Sequence, residues 1–395
     1  MSLPMRTHTR STLLSGLVLA AAAPLASAGF YGDPPDATHP WAIHDENRPQ
    51  PPRVEPGDYS SQEKPGKPPS DAIILFDGTP ATLANWVSNQ NPGEPTKWVV
   101  QDGSLQCVPG AGYVRTKQEW GDCQLHVEWS APTKAEGSSQ GRGNSGIFPM
   151  GQVEVQVLDN FNNPTYADGF AGSVYGVNPP LANAVRAPGT WQVYDIVFRR
   201  PVFKDGKMIE DGYLTVFVNG VLTQDHTPLE GGGGHRARSH NHPFPEKGPL
   251  QLQDHGNPVR YRNIWYRPLP ARASEGGDVS HMSEAATAAK RAQIAAGLRE
   301  EASKLQGKDK MLKQMESLVY TSDAATLTES TKASADFLAS VKDLSGDKLE
   351  AQKGAIRQVH GALNYLSKFK ILPAALPEEA ALAGIIDKAG WNDKK

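Results

Sequence analysis

Cysteine is scarce: Cys107 and Cys123 are the only two in 395 residues. That excludes a disulfide framework, and without a CxxC pair it excludes the common zinc and haem motifs. A surplus of charge is also lacking. The chain has 40 Lys and Arg against 43 Asp and Glu, a net charge of −3, so the basic footprint of a general nucleic-acid binder is missing. Beyond the first 28 residues no apolar run is long enough to span a bilayer. Glycine (38) and proline (32) are plentiful, which favours a loop-rich β architecture. The length accommodates two or three domains.

Residues 1–28 read as a secretory signal peptide. Arg6 and Arg10 precede an apolar stretch from Leu13 through Ala23, and Ala26-Ser27-Ala28 offers small residues for cleavage. A retained anchor is the alternative; no cysteine follows, so a lipoprotein is not expected. The expected location is the periplasm or the exterior, with no membrane insertion after signal cleavage. Residues 29–70 form a Pro-rich N-terminal arm, as in Arg48-Pro49-Gln50-Pro51-Pro52-Arg53, expected to be extended. Trp41 and Ile43 are the apolar residues that would pin it to the domain that follows.

Residues 71–269 alternate short apolar runs with Gly, Pro, Asn and Asp clusters. Strands are expected at 73–76, 97–100, 104–108, 123–129, 153–158, 191–198, 213–219, 249–253 and 259–266, which together predict a β-sandwich or barrel. Residues 270–280 are a polar linker. Residues 281–395 then change composition, with only Pro373 and Pro377 left of the prolines. Apolar positions fall at helical spacing: Leu312, Met315, Leu318 and Val319; Phe337, Leu338 and Val341; Ile356, Val359, Leu363 and Leu366. This predicts a small bundle of three to five helices, a spacer or a module for a protein partner.

Two strands have informative polar faces. In 123–129, Cys123, Leu125, Val127 and Trp129 share one face, and Gln124, His126 and Glu128 the other. In 152–158, Val153, Val155 and Val157 face one way, and Glu154 and Gln156 the other. Lys and Thr, the common furniture of a solvated sheet face, are missing there. Carboxylate, amide and imidazole stand in their place, groups suited to sugar hydroxyls if both strands lie in one curved sheet. Asn144 in Gly143-Asn144-Ser145-Gly146, the polar tip Gln253-Asp254-His255, and Arg260 with Arg262 add to the set. Tyr175 and Trp191 offer rings for stacking on a sugar, or core packing. His235, His240 and His242 lie in a Gly-rich loop and raise the question of a metal; with no element to fix them, a flexible loop at the site mouth is the preferred reading, and no cofactor is required. Cys107 and Cys123 sit on candidate neighbouring strands, either bridged or as two buried thiols.

Over residues 71–269 the chain resembles the 3-keto-disaccharide hydrolase domain family, a concanavalin A-like jelly roll. The resemblance rests on Leu75-Phe76-Asp77-Gly78 with Trp86, Trp98 with Asp102-Gly103, and Gly121 through Trp129. It continues through Gly143-Asn144-Ser145-Gly146-Ile147, Glu154 through Asp159, Tyr175-Gly176, Val218-Asn219-Gly220, and Leu252 through Gly256 with Arg262-Asn263-Ile264. It covers about half the chain and implies cleavage of glycosides whose sugar carries a ketone at C3.

Glycoside hydrolysis ordinarily needs two carboxyl groups flanking the bond. Glu154-x-Gln156-x-x-Asp159 departs from the E-x-D-x-x-E strand of laminarinase-type glucanases: the middle carboxylate is Gln156, and Asp159 lies on the opposite face of a regular strand. A 3-keto sugar opens a second route, removal of the C2 proton, loss of the C1 substituent and re-addition of water. The expected roles are Glu154 as principal acid/base, with Glu128 or His126 as its partner. His255 is an alternative acid, and Asp159 would join the catalytic set only if a bulge or the strand's end turned it into the site. Asn144, Gln156, Tyr175, Trp191, Gln253 and Arg262 are expected to hold a carbohydrate substrate. A sugar-binding module without catalysis and a cell-envelope interaction protein are the competing function classes.

Overall fold

The structure, a computed structural model, describes residues 30–391 apart from 233 and 373, so the leader-like segment 1–28 lies outside the described residues. The strands are Ile73–Phe76 (β1), Trp86–Ser88 (β2), Val99–Gln101 (β3), Ser104–Gln106 (β4), Val114–Trp120 (β5), Cys123–Ser130 (β6), Asn144–Phe148 (β7) and Val155–Leu158 (β8). They continue with Gln192–Arg199 (β9), Val202–Lys204 (β10), Lys207–Glu210 (β11), Tyr213–Val218 (β12), Val221–Pro228 (β13), Gly248–Leu252 (β14) and Arg260–Pro268 (β15). A short helix, Pro80–Leu83 (α1), separates β1 from β2.

Two antiparallel sheets build the jelly roll. The larger has the order β13-β12-β9-β6-β15-β4-β3, with β1 also on β15. The smaller has the order β2-β5-β14-β7-β8. Period-two alternation decides which side chains enter the space between them. From the larger sheet come Leu125, Val127 and Trp129 of β6, Tyr194, Ile196 and Phe198 of β9, and Tyr261, Ile264 and Tyr266 of β15. From the smaller come Val114, Ile147, Val155, Val157, Leu250 and Leu252. Trp120 stacks flat on Tyr266 with ring centroids 3.9 Å apart, joining the two layers.

The two inner faces meet in one core, so the two outer faces point away from each other. β6 and β8 lie in different sheets, not in one curved sheet. The polar faces of the two strands consequently open on opposite sides of the sandwich. The cysteines are not neighbours either. Cys123 is opposite Pro268 at one end of β15, whereas Cys107 N donates to Val259 O at the other. Nine residues of strand separate these points by about 25–30 Å, far beyond disulfide reach. Both are buried free thiols.

By contacts the chain divides into two units, residues 51–272 and residues 273–391 with 30–50. The Pro-rich arm is therefore shared between them rather than a single piece. Trp41 belongs to the helical unit, where its indole N–H donates to Asp278 at 2.8 Å and its ring meets Tyr320 edge-on. Ile43 is 53% exposed and pins nothing.

The second unit holds Glu284–Ser303 (α2), Gly307–Tyr320 (α3), Ala324–Val341 (α4), Gly346–Glu350 (α5), Lys353–Lys368 (α6) and Pro377–Lys388 (α7). That is six helices among the described residues where three to five were expected; α5 is a short turn, and α2 is so rich in alanine that its apolar stripe is faint. Ser283 and Asp323 cap α2 and α4 by accepting the N–H of Ala286 and Thr326. Met311, Leu312, Met315, Ile356, Val359, Leu363 and Leu366 form its core. Among the described residues no helix is long and apolar enough to cross a membrane.

Candidate active site

The outer face of the smaller sheet carries a cavity of about 790 Å3, and strand register dictates its contents. β7 pairs with β8 so that Gly146 is opposite Gln156, and β14 pairs with β7 so that Gln251 is opposite Phe148. Gln253 follows β14 and its N–H donates to Gly146 O at 3.0 Å. Tyr113, Gln253, Gly146 and Gln156 thus form a row across the sheet. Glu154 immediately precedes β8, two residues before Gln156. Tyr175 joins from an irregular extra segment, its N–H donating to Glu154 O at 3.1 Å.

Glu154 is buried, at 7% exposure, although no cation pairs with it. Burial, opposed only by a hydrogen bond from the Gln253 side chain, pushes its pKa up to about 7. Residue 146 makes room for this carboxyl. A Cβ there would lie 2.4 Å from Glu154 Oε1, so a larger residue would have to displace the carboxyl. The same burial raises the pKa of Tyr113, whose hydroxyl also meets the Gln253 side chain.

The amides around the carboxyl have fixed orientations. Gln140 Nε2 donates to the backbone carbonyl of Gly169 at 3.0 Å, which leaves Gln140 Oε1 as an acceptor. Gln156 Nε2 fills it at 2.9 Å. Asn144 Nδ2 donates to the Gln140 carbonyl at 2.8 Å. Three carbonyl oxygens remain buried with no partner: Asn144 Oδ1, Gln156 Oε1 and Gln253 Oε1. An unpaired buried acceptor costs about 1–3 kcal/mol. Three on one cavity wall mark a place for a ligand rich in hydroxyl donors.

At the mouth, Tyr166 and Tyr175 share a hydrogen bond at 2.8 Å, and Tyr175 Oη lies 3.3 Å from His235 Nδ1. Burial raises the Tyr166 hydroxyl well above its ordinary value. His255 is exposed at the rim. Gly231 packs against His240, and His242 Nε2 lies 3.2 Å from Gln152 Oε1. His235 and His242 thus face different neighbours. Among the described residues no three His, Cys, Asp or Glu side chains come together as a metal site.

The cavity brings together Glu154, Asn144, Gln156, Gln253, Tyr175 and His255. It does not include Glu128, His126, Arg262, Trp191 or Asp159. Asp159 lies just past the end of β8, where Nε and Nη2 of Arg142 hold its Oδ2 at 2.9 and 2.5 Å. The other four lie on the outer face of the larger sheet. There Glu128 is fully buried. Its Oε2 accepts from Arg262 Nε at 2.7 Å, and its Oε1 accepts from Asn263 Nδ2 at 2.7 Å and from the Ser60 hydroxyl at 2.5 Å.

Burial works to raise the Glu128 pKa, but the hydrogen bonds from His126, Ser60 and Asn263 outweigh it and hold the carboxylate below its ordinary value. Burial works against the His126 cation too, yet Asp195 at 2.7 Å and Glu128 raise it to about 9. Trp191 lies under Arg262, 4.3 Å from ring to guanidinium, so its face is taken by a cation and not offered to a sugar. Residues 51–70 cover this network, although none of them is itself buried.

Sequence reasoning missed Tyr113, Gln140 and Tyr166, and weighed His235 only as a metal ligand. Tyr113 precedes a strand too polar to alternate visibly, and Gln140 and Tyr166 lie in loops without periodicity.

A jelly roll with a deep polar cavity, one buried carboxyl and a wall of hydroxyl acceptors defines a carbohydrate-active enzyme domain. Residues 71–267 match the family model described as the 3-keto-alpha-glucoside-1,2-lyase-like domain, and the chain belongs to this family. A crystal structure of a candidate glycosyl hydrolase from Parabacteroides distasonis ATCC 8503 is 42% identical, with a TM-score of 0.53, and the match covers 57% of this chain and 95% of that one. A second candidate glycosyl hydrolase structure from the same organism is 21% identical, with a TM-score of 0.35, covering 50% of this chain and 94% of that one. No curated protein matches the chain.

Proposed function

We propose that this protein cleaves glycosides whose sugar ring carries a ketone at C3, by elimination across C1 and C2 with Glu154 as the base. The observation that carries the reading is the solitary carboxyl. Among the described residues lining the cavity Glu154 has no second carboxylate, whereas two-carboxylate hydrolysis needs one at about 5–9.5 Å. Family membership supports the keto sugar as substrate.

A ketone at C3 makes the C2 proton removable by a carboxylate. Glu154 takes that proton and the electron pair of the C2–H bond enters the enolate, whose charge rests on the C3 oxygen. Tyr113 and the Gln253 amide, the donors nearest Glu154, receive this oxyanion. The electrons then return to form the C1=C2 bond, and the C1–O bond breaks. Tyr175 protonates the departing oxygen and recovers its proton through Tyr166 or His235. The products are an unsaturated keto sugar and a free alcohol, with no water consumed. Addition of water to C1=C2 would then complete a net hydrolysis.

Asn144 and Gln156 hold ring hydroxyls through their free oxygens. A pKa of about 7 leaves Glu154 ionised in a useful fraction near neutrality and basic enough to take the proton. The leader-like residues 1–28 support a periplasmic or secreted location. A binding module without turnover is the second reading, because the three free oxygens alone suffice for recognition.

The test is turnover of a chromogenic 3-keto-glucoside in D2O. Release of the chromophore with the C2 hydrogen lost from the sugar product, and replaced by solvent deuterium where water has added across C1=C2, is the expected result. Release with hydrogen retained at C2 would reject elimination, and binding without release would favour the module.

A further inference from the structure

The Glu154 cavity continues past Tyr166 and Tyr175 into a second chamber of about 560 Å3. Both chambers share Tyr166, Tyr175, Gly234 and His235, so the two adjoin. Its far wall is a tight turn. Ala237 N–H donates to Gly234 O at 3.2 Å, and Arg236 takes a left-handed φ of 59° at the apex. This turn presents Arg236 and Arg238 to the chamber.

Neither arginine has a hydrogen bond or ion pair among the described residues. Asp168 is the one carboxylate on the chamber wall, facing two guanidiniums and the His235 imidazole. The opposite wall is aromatic, the rings of Tyr166 and Tyr175 lying 6.3 Å apart and tilted by 57°. The two chambers therefore differ in kind. The inner one offers oxygens that accept hydroxyl protons. The outer one offers unpaired cations beside flat apolar surface, which suits a ring bearing an anion.

We propose that the outer chamber is a subsite for an acidic leaving group, a carboxylate-bearing ring held against Tyr166 and Tyr175 by Arg236 and Arg238. This deepens, and rests on, the reading of Glu154 as the base of the inner cavity. The substrate class is then a 3-keto glycoside of an aromatic acid or of a sugar acid. The carboxylate is common to both, and the arginines recognise that.

The experiment compares two 3-keto-glucosides of equal size, one with a 4-carboxyphenyl and one with a 4-carbamoylphenyl leaving group. The neutral amide is the stronger electron-withdrawer, so leaving-group chemistry alone favours it. The expected result is the reverse, about tenfold higher kcat/KM for the carboxylate at low salt. That preference should shrink toward parity in 0.5 M NaCl and vanish in Arg236→Gln/Arg238→Gln. A 3-keto-glucosyl glucuronic acid, set beside its glucose counterpart, is the second arm. A preference confined to it would name the sugar acid as leaving group.

Turnover of all substrates with no preference for the acid, or a preference unchanged in the double variant, would overturn the subsite and leave the Glu154 reading intact. Turnover of none would overturn both.

Discussion

Gly146 and Glu154 occupy one place between them: the volume where residue 146 would carry a side chain is filled by the carboxyl of residue 154, 2.4 Å from the ideal Cβ position. The partnership crosses two strands of the smaller sheet and buries an acid without a cation. It makes the backbone at 146 part of how the proton-transferring group is aimed. Gly146→Ala should therefore displace the carboxyl. We expect kcat/KM to fall at least 100-fold, with the circular dichroism spectrum unchanged and a stability loss of about 1–3 kcal/mol from overpacking. Activity near wild type would show that the carboxyl's position is not critical.

Replacing Glu154 itself should separate function from stability. Its folded pKa of about 7 lies above the ordinary 4.5. The stability it contributes is complete below about pH 4.5 and is lost as pH rises through 7, leaving a penalty of about 3 kcal/mol in mildly alkaline solution. Glu154→Gln should lower turnover by roughly 10²–10⁴. The same variant should unfold at higher urea than wild type at pH 8, and at nearly the same urea at pH 4.5.

The pH profile gives the sign of proton transfer. A base must be ionised in the free enzyme, so kcat/KM should climb about tenfold per pH unit below 7 and level off above it. A profile that falls through pH 7 would make Glu154 the acid instead.

The network under residues 51–70 should matter for folding and not for chemistry. Glu128→Gln leaves Arg262 without its anion and His126 with Asp195 alone, and the loss of a buried partner typically costs about 3–5 kcal/mol. Turnover by the folded fraction should match wild type. For His126, the folded pKa of about 9 lies above the ordinary 6.5, so its contribution is full below about pH 6.5 and lost as pH rises through 9. His126→Gln should flatten that part of the stability profile.

Cys107 and Cys123 should both titrate as thiols in denaturant without reductant, and reductant should leave the melting temperature unchanged. Burial pushes the Cys123 thiol up to about 12, so neither should react rapidly in the folded protein.

The sandwich was legible wherever a strand buries one face. Leu125, Val127 and Trp129, or Val153, Val155 and Val157, announce themselves by alternation. It was not legible at β5, where Arg115, Lys117 and Glu119 point outward and only Val114, Thr116 and Trp120 turn in. Nor was it legible at β13, where five polar residues, Thr223 to Thr227, follow Val221 and Leu222. The same limit governs the site. The polar faces of β6 and β8 look alike in sequence, yet they open on opposite sides because sheet membership is a long-range property that no local period encodes. Glu154, Asn144, Gln156, Gln253, Tyr175 and His255 were within reach because they lie on or beside strands. Gln140 and Tyr166 were not, because the turns that carry them obey no repeat.

The free oxygens of Asn144, Gln156 and Gln253 have a consequence for selectivity. A sugar with its full set of hydroxyls satisfies all three. A deoxy analogue is smaller and enters as easily, but leaves one oxygen desolvated and empty, at about 1–3 kcal/mol for each missing group. The amide wall therefore sorts by completeness rather than by bulk, turning away the molecule that lacks something more firmly than the one that carries too much.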